Sequence, residues 1–283
     1  MINKDMAKKR LDLKKVIMLR PIDDLLFNLI YQDKDACQEL IRTILDDETI
    51  KIISVTVQDS IPNLIGRGVR LDALCEDGDG RQFNVEVQRK DDDDHFRRIR
   101  YNASAITARK TSKGTDFRDV TEVYVILITE FNIVNVRKTV CHIDSVIRET
   151  GETIDDGLHR IIVNASVNDG TKSARLMAHF RESDFSDDEF PETSKQINYY
   201  KHTKEGSKMM STVMEKIMKD YIVERDEYRD ALYLIKNVDI LAQNLNISIS
   251  EACTFLNKTI EDYEKAKNII ENTDVEEFSL EYA

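Results

Sequence analysis

Proline and glycine are scarce, at three and nine of 283 residues. With 41% hydrophobic residues, a chain this poor in backbone breakers is expected to fold into a packed body and not to remain disordered. The length suits one large domain or two modest ones. Four cysteines, Cys37, Cys75, Cys141 and Cys253, form no C-x-x-C pair and read as reduced thiols of an intracellular protein. The five histidines show no H-x-x-x-H or Cys/His spacing of the kind zinc requires. Phosphate-loop, dinucleotide and G-x-S-x-G fingerprints are missing, which removes the common nucleotide-binding and serine-hydrolase classes. No apolar run approaches the roughly 20 residues of a membrane span. The run Val16–Leu19 is too short for a signal-peptide core, so a cytoplasmic, nucleoid-associated protein without membrane contact is expected.

A surplus of base is also lacking, since the net charge is −12. Taken whole, that opposes nucleic-acid binding, which favours basic surfaces. The distribution changes the reading. From Glu182 onward there are 23 acids against 12 bases, so nearly all of the excess lies in the last third. Between His95 and Arg118, seven bases (Arg97, Arg98, Arg100, Arg109, Lys110, Lys113 and Arg118) face one acid, Asp116.

Just before this basic segment lies the most informative pattern. Val69–Cys75 and Arg81–Lys90 read as two strands joined through Glu76–Gly80. Strand alternation puts Val69, Leu71 and Ala73 on one face and Asp72 on the other; Phe83, Val85 and Val87 oppose Glu86, Gln88 and Lys90 in the same way. Burying both apolar sets together fixes an even register, and every even register puts Asp72 and Glu86 on one face, about 4.5 to 8 Å apart at the backbone. The hairpin supports two readings. Either the carboxylates hold a divalent cation such as Mg²⁺ or Mn²⁺, or they are solvated groups on an exposed sheet face.

Around the hairpin, helices are expected at Leu25–Tyr31 and Ala36–Leu45, a strand at Ile50–Gln58, a helix at His95–Lys110 and a buried strand at Val120–Thr129. In the basic helix, Phe96, Ile99, Ala103 and Ile106 form the apolar stripe and Arg98 and Tyr101 lie opposite. Further strands are read at Val136–Ile143 and Arg160–Val167, and helices at Met209–Val223, Tyr228–Leu245 and Ile249–Ile270. The expected organisation is a basic arm over 1–18, an α/β domain over 19–190 and an acidic helical region over 191–283. The helical region either forms a solvated bundle, covers the basic face, or mediates self-association into a homo-oligomer.

Asp24-x-x-Phe27-x-x-x-Tyr31, Arg70-Leu71-Asp72, Asp79-Gly80, Val85-Glu86-Val87-Gln88 and Arg98-x-x-Tyr101, in that order, resemble the PD-(D/E)XK nuclease family transposases, the recombination-promoting nucleases. The likeness is good over roughly residues 19–135 and loose beyond. It implies a restriction-endonuclease-like mixed sheet flanked by helices and a metal-dependent DNA endonuclease, with an inactive DNA- or protein-binding module as the alternative. It also implies that Asp72, Glu86 and the carbonyl of Val87 bind catalytic Mg²⁺. Gln88 stands where the wider superfamily has lysine, and no proline precedes Asp72. Glutamine brings no charge but can orient water. Lys90, on the same strand face, either replaces part of the missing charge or is a solvated strand-end lysine. Asp24 either caps its helix or supports the site, while Phe27 belongs to the core. Arg98 and Tyr101, with Arg97, Arg109 and Lys110, are candidate DNA contacts or a solvated helix face.

Overall fold

The structure is a computed structural model describing residues 18–61, 68–91 and 94–272, with side chains described except at 214, 216–225 and 271–272. Apart from Met18, the basic arm expected over 1–18 lies outside the described residues. The chain divides into two compact units after Ser211.

The first unit starts with α1 (Asp24–Tyr31) and α2 (Lys34–Leu45). Asp33 caps α2 by accepting from the backbone N–H groups of Asp35 and Ala36, satisfying two of the donors a helix start leaves open. Strands β1 (Ile52–Ile61), β2 (Val69–Asp77) and β3 (Gln82–Gln88) follow as an antiparallel meander. Helix α3 (His95–Lys110) then crosses over to β4 (Val123–Thr129), which runs parallel to β3. A parallel neighbour demands such a crossover, because a tight turn cannot reverse the chain twice. Strands β5 (Val140–Ile143) and β8 (Leu158–Asn164) complete a six-stranded mixed sheet of order β1-β2-β3-β4-β8-β5. Between them, β6 (Ser145–Val146) and β7 (Thr153–Ile154) form a separate two-stranded ribbon that periodicity did not reveal. A short helix, α4 (Lys172–His179), was likewise unforeseen.

Helices α1 and α2 pack against β1 and β2, while α3 packs against β1, β2 and β4. Phe27 and Tyr31 are fully buried; Tyr31 stacks on Phe180, and Phe27 packs tilted against both. Beneath α3, Ile99, Ala103 and Ile106 join Leu74, Val123, Val125 and Leu127 in one apolar cluster. Helix α5 (Pro191–His202) lies in the first unit, where the Glu39 carboxylate accepts from the N–H groups of Glu192 and Thr193 at its start.

Helix α6 (Lys204–Leu245) is one element of 42 residues where two helices were expected; the intervening Glu224–Glu227 contains neither glycine nor proline to break it. Helices α7 (Ile249–Phe255) and α8 (Ile260–Asn272) follow. In the second unit Val238, Ala242, Ala252, Cys253 and Tyr263 form a small core, and Ser248 with Glu251 makes a capping box at α7. Among the described residues, no helix is long and apolar enough to cross a membrane.

Candidate active site

The hairpin turn is built around a buried carboxylate. Asp77, 1% exposed, accepts from the N–H groups of Asp79 and Arg81 and from Arg81 Nε at 2.6 Å. Gly80 completes the turn at φ +83°, a conformation glycine adopts without steric cost. With the turn set, the ladder pairs Ala73 with Val85 and Leu74 with Asn84, an even register that places Asp72 at the level of Glu86.

Both ladders that flank Asp72 break there. The β2–β3 pairing stops at Ala73 and Val85, although β2 continues along β1 and β3 continues along β4. In place of a strand carbonyl, Asp72 Oδ2 accepts the Val87 N–H at 3.0 Å. On the other side the β1–β2 register skips Gln58, a non-glycine residue at φ +52°. Strained backbone of this kind persists where surrounding structure enforces it, and it collects at functional sites. The consequence is a split in the sheet, with Asp72 on one lip and Glu86 on the other.

Glu86 is 2% exposed, and neither carboxylate oxygen has a hydrogen-bond partner among the described residues. Among the described residues, the cation paired with it is Arg98 of α3, whose Nη2 lies 3.7 Å from Oε2. Burial, and then the charge of Asp72, push the Glu86 carboxyl up to about 8, against the pull of Arg98. Burial also raises Asp72, opposed by the Val87 N–H, Arg98 and Arg70. Asp24, the first residue of α1, keeps solvent contact at the rim; desolvation by the surrounding protein and then the charge of Asp72 raise it to about 7. Asp72 thus raises both Asp24 and Glu86, and carboxylates, one with both oxygens unsatisfied, are the kind of hard oxygen donor a divalent cation takes.

Gln88 closes the row. Its Oε1 accepts from Arg98 Nη1 at 3.1 Å and its Nε2 donates to the Lys90 carbonyl. Lys90 lies beyond the end of β3 and is exposed. Arg98 is the principal departure from the expected geometry, for it turns toward the sheet instead of away from it. Phe96, expected in the core, is 45% exposed, while His95 and Asn102 are buried. The cause is the surface beneath the helix: Gln82, Asn84, Glu86 and Gln88 all face α3, so its covering face is mixed. Asn84, wholly buried, lies near enough to Glu86 to oppose its rise without completing a hydrogen bond, and both its amide atoms lack partners among the described residues.

The other basic candidates spread along α3. Arg97 pairs with Asp94, and Tyr101 is 39% exposed. Arg109 and Lys110 sit about 16 Å further down the helix axis, paired with Asp59 and Glu76. A network that sequence reading missed borders Asp24: Arg20 and Arg89 each engage both Asp23 and Glu130. Its members are far apart in the chain and carry no periodic signal. Among the described residues, the one acidic trio with oxygens within 4.8 Å of each other is Asp33, Asp35 and Glu192. Asp33 is committed to its helix cap and Glu192 to Lys195, so helix-end roles account for this group.

A mixed sheet flanked by helices, split over buried acids, defines a restriction-endonuclease-like α/β protein. The family model of the PD-(D/E)XK nuclease family transposases matches residues 21–233, and the chain belongs to that family. No curated protein and no solved structure gives a significant match.

Proposed function

We propose that this protein is a metal-dependent DNA endonuclease that hydrolyses phosphodiester bonds, with Mg²⁺ as its ion and Mn²⁺ as a substitute. The observation that carries the reading is the pair of buried, unpartnered oxygens of Glu86 at the level of Asp72. Asp72, Glu86 and the Val87 carbonyl would hold the ion. When bound, it would lower the pKa of water and offset charge developing on the phosphate. Asp72 is already held in place through Oδ2, which leaves Oδ1 for the ion. Gln88 would orient the attacking water through its amide, and Arg98 keeps that amide aligned. Asp24 supports the acids from α1, and Lys90 adds charge at the rim. Arg97, Arg98 and Tyr101 would seat the DNA backbone at the amino end of α3, with Arg109 and Lys110 engaging it further along.

The family's description as transposases supports a role in recombination or transposition, carried out in the cytoplasm at the nucleoid. Exposed Tyr233, Ile240 and Phe255 favour self-association through the C-terminal helices. The decisive experiment incubates supercoiled plasmid with the protein, with and without Mg²⁺, beside Asp72→Ala. Nicking that requires both the ion and Asp72 is expected. Equal nicking by the two proteins would sink the assignment and leave the binding-module alternative.

A further inference from the structure

Where β2 parts from β3 the sheet has two lips, and helix α1, which brings Asp24, packs on the β1–β2 side. Asp72 and Glu86 stand on opposite lips, so their like charges work to widen the gap. The bond from the Val87 N–H to Asp72 ties strand to strand and does not involve the helix. The network of Arg20, Asp23, Arg89 and Glu130 does. The β3–β4 ladder runs on to Gln88 opposite Thr129, which makes Arg89 and Glu130 the next residue on each strand. Arg89 Nε meets Glu130 Oε2 at 3.2 Å, and its Nη1 reaches Asp23 Oδ1 at 2.6 Å. Arg20 closes the ring. Its Nη1 and Nη2 donate to the two Glu130 oxygens at 2.8 and 3.1 Å, and its backbone N–H donates to Asp23 Oδ2 at 2.7 Å. Asp23 precedes Asp24 and holds the N-cap of α1, where an aspartate ordinarily accepts from its own helix. Here it makes no capping bond, and both of its oxygens go to the two arginines. The carboxylates of the ring are shielded, at 12% exposed for Asp23 and 18% for Glu130, while Arg89 is half-exposed.

Resting on the metal-dependent reading above, we infer that Arg89 is a positioning residue of the cation site: by gripping Asp23 and Glu130 together it fixes the start of α1, and with it Asp24, against the strand that carries Glu86 and the Val87 carbonyl. Guanidinium suits the task because its planar fork spans two carboxylates at once, which an ammonium on a flexible stem does not. Ion pairs this close to solvent add little stability. What a closed ring of four adds is geometry, since each member is held from two sides. The ring joins residues 20, 23, 89 and 130, so it brings the start of α1 to the ends of both β3 and β4 at the level of the site. Without Arg89, the helix would keep its packing on β1 and β2 but lose this tie to the opposite lip. Asp24 would then settle at a distance from Glu86 set by charge repulsion alone.

The experiment compares full-length wild type, Arg89→Gln, Arg89→Lys, Glu130→Gln and the double variant Arg89→Gln/Glu130→Gln. Calorimetric titration with Mn²⁺, without DNA, follows the binding that Asp72→Ala removes. Affinity should fall about tenfold in Arg89→Gln and recover in part in Arg89→Lys. The double variant should bind no more weakly than the weaker single, because both changes open the same ring. In single-turnover plasmid cleavage the half-saturating Mg²⁺ should rise about tenfold, with the rate at saturating Mg²⁺ within about threefold of wild type. Melting of the ion-free protein should shift by less than about 4 °C. Unchanged Mn²⁺ affinity overturns the inference, as does a melting shift well beyond that limit with additive single variants, which would make the ring a support of the fold alone. A slope of log duplex affinity against log salt lowered by about one in Arg89→Gln, measured in Ca²⁺, would make Arg89 a phosphate ligand and overturn it too. If wild type and Asp72→Ala nick equally, the nuclease reading fails and the titration alone decides Arg89. Weakened Mn²⁺ binding then keeps it as the organiser of a cation site, and unchanged binding removes it.

Discussion

Replacing Glu86 by glutamine keeps its shape and removes its charge, so the Glu86→Gln variant measures what the buried carboxylate costs the ion-free protein. The carboxyl titrates near 4.5 when unfolded and is pushed up to about 8 when folded. Because the folded state binds the proton more tightly, stability is fully present below about pH 4.5 and is lost as pH rises through about 8. At about 1.4 kcal/mol per unit, the loss by pH 7 is roughly 3 kcal/mol. Glutamine avoids that loss but leaves a buried amide without partners, which costs about 1 to 2 kcal/mol. The variant should therefore gain about 1 to 2 kcal/mol at pH 7, or roughly 3 to 6 °C in melting temperature for a unit of this size. The assay is thermal melting in a chelator from about pH 5 to about pH 8, followed by the same series in millimolar Mg²⁺. The variant's advantage should be absent at the acid end, grow with pH, and vanish when Mg²⁺ stabilises the wild type alone. Parallel curves for the two proteins across this range would refute both the raised carboxyl and its repulsion with Asp72.

Asn84→Leu should raise the melting temperature by several degrees, since two unpartnered amide atoms leave an apolar surround of Leu74 and Val125, worth about 1 to 3 kcal/mol. The same variant should weaken Mn²⁺ binding by about tenfold, the usual result of stripping polar support from a ligand; titration calorimetry reads this, and unchanged affinity would dismiss Asn84 as support. Gly206→Ala should destabilise the first unit by about 1 to 3 kcal/mol, because the new Cβ would fall 2.1 Å from the Tyr199 carbonyl oxygen. A urea midpoint equal to wild type would show that the α5–α6 junction yields freely.

The hairpin was the most legible part of the chain, for a physical reason. Period-two alternation, a glycine-bearing turn and two apolar faces leave one parity of register, and the observed pairing of Ala73 with Val85 has that parity. Helix α3 was legible in extent but not in orientation. Its apolar stripe was read on the assumption that a helix covers an apolar surface, and here the strand beneath presents Gln82, Asn84, Glu86 and Gln88. Arg98 and Asn102 turn inward to match it, and Phe96 is displaced outward. The skipped Gln58 and the parting of β2 from β3 could not be read at all, since neither residue type nor spacing marks them. The ribbon β6–β7 escaped because two-residue strands are shorter than any window in which alternation can be recognised.

The bond from the Val87 N–H to Asp72 ties chemistry to mechanics. One residue donates its N–H to one acid, while its own carbonyl, in the next peptide unit, is the proposed third ligand beside the other. A change of charge on Asp72 is therefore felt as tension in the backbone of β3, without any side chain having to move between the two lips. That makes the Val87 amide a natural gauge: its exchange with solvent should slow or quicken with the state of the acids, so the emptiness or fullness of the cleft can be read from a single hydrogen on the strand.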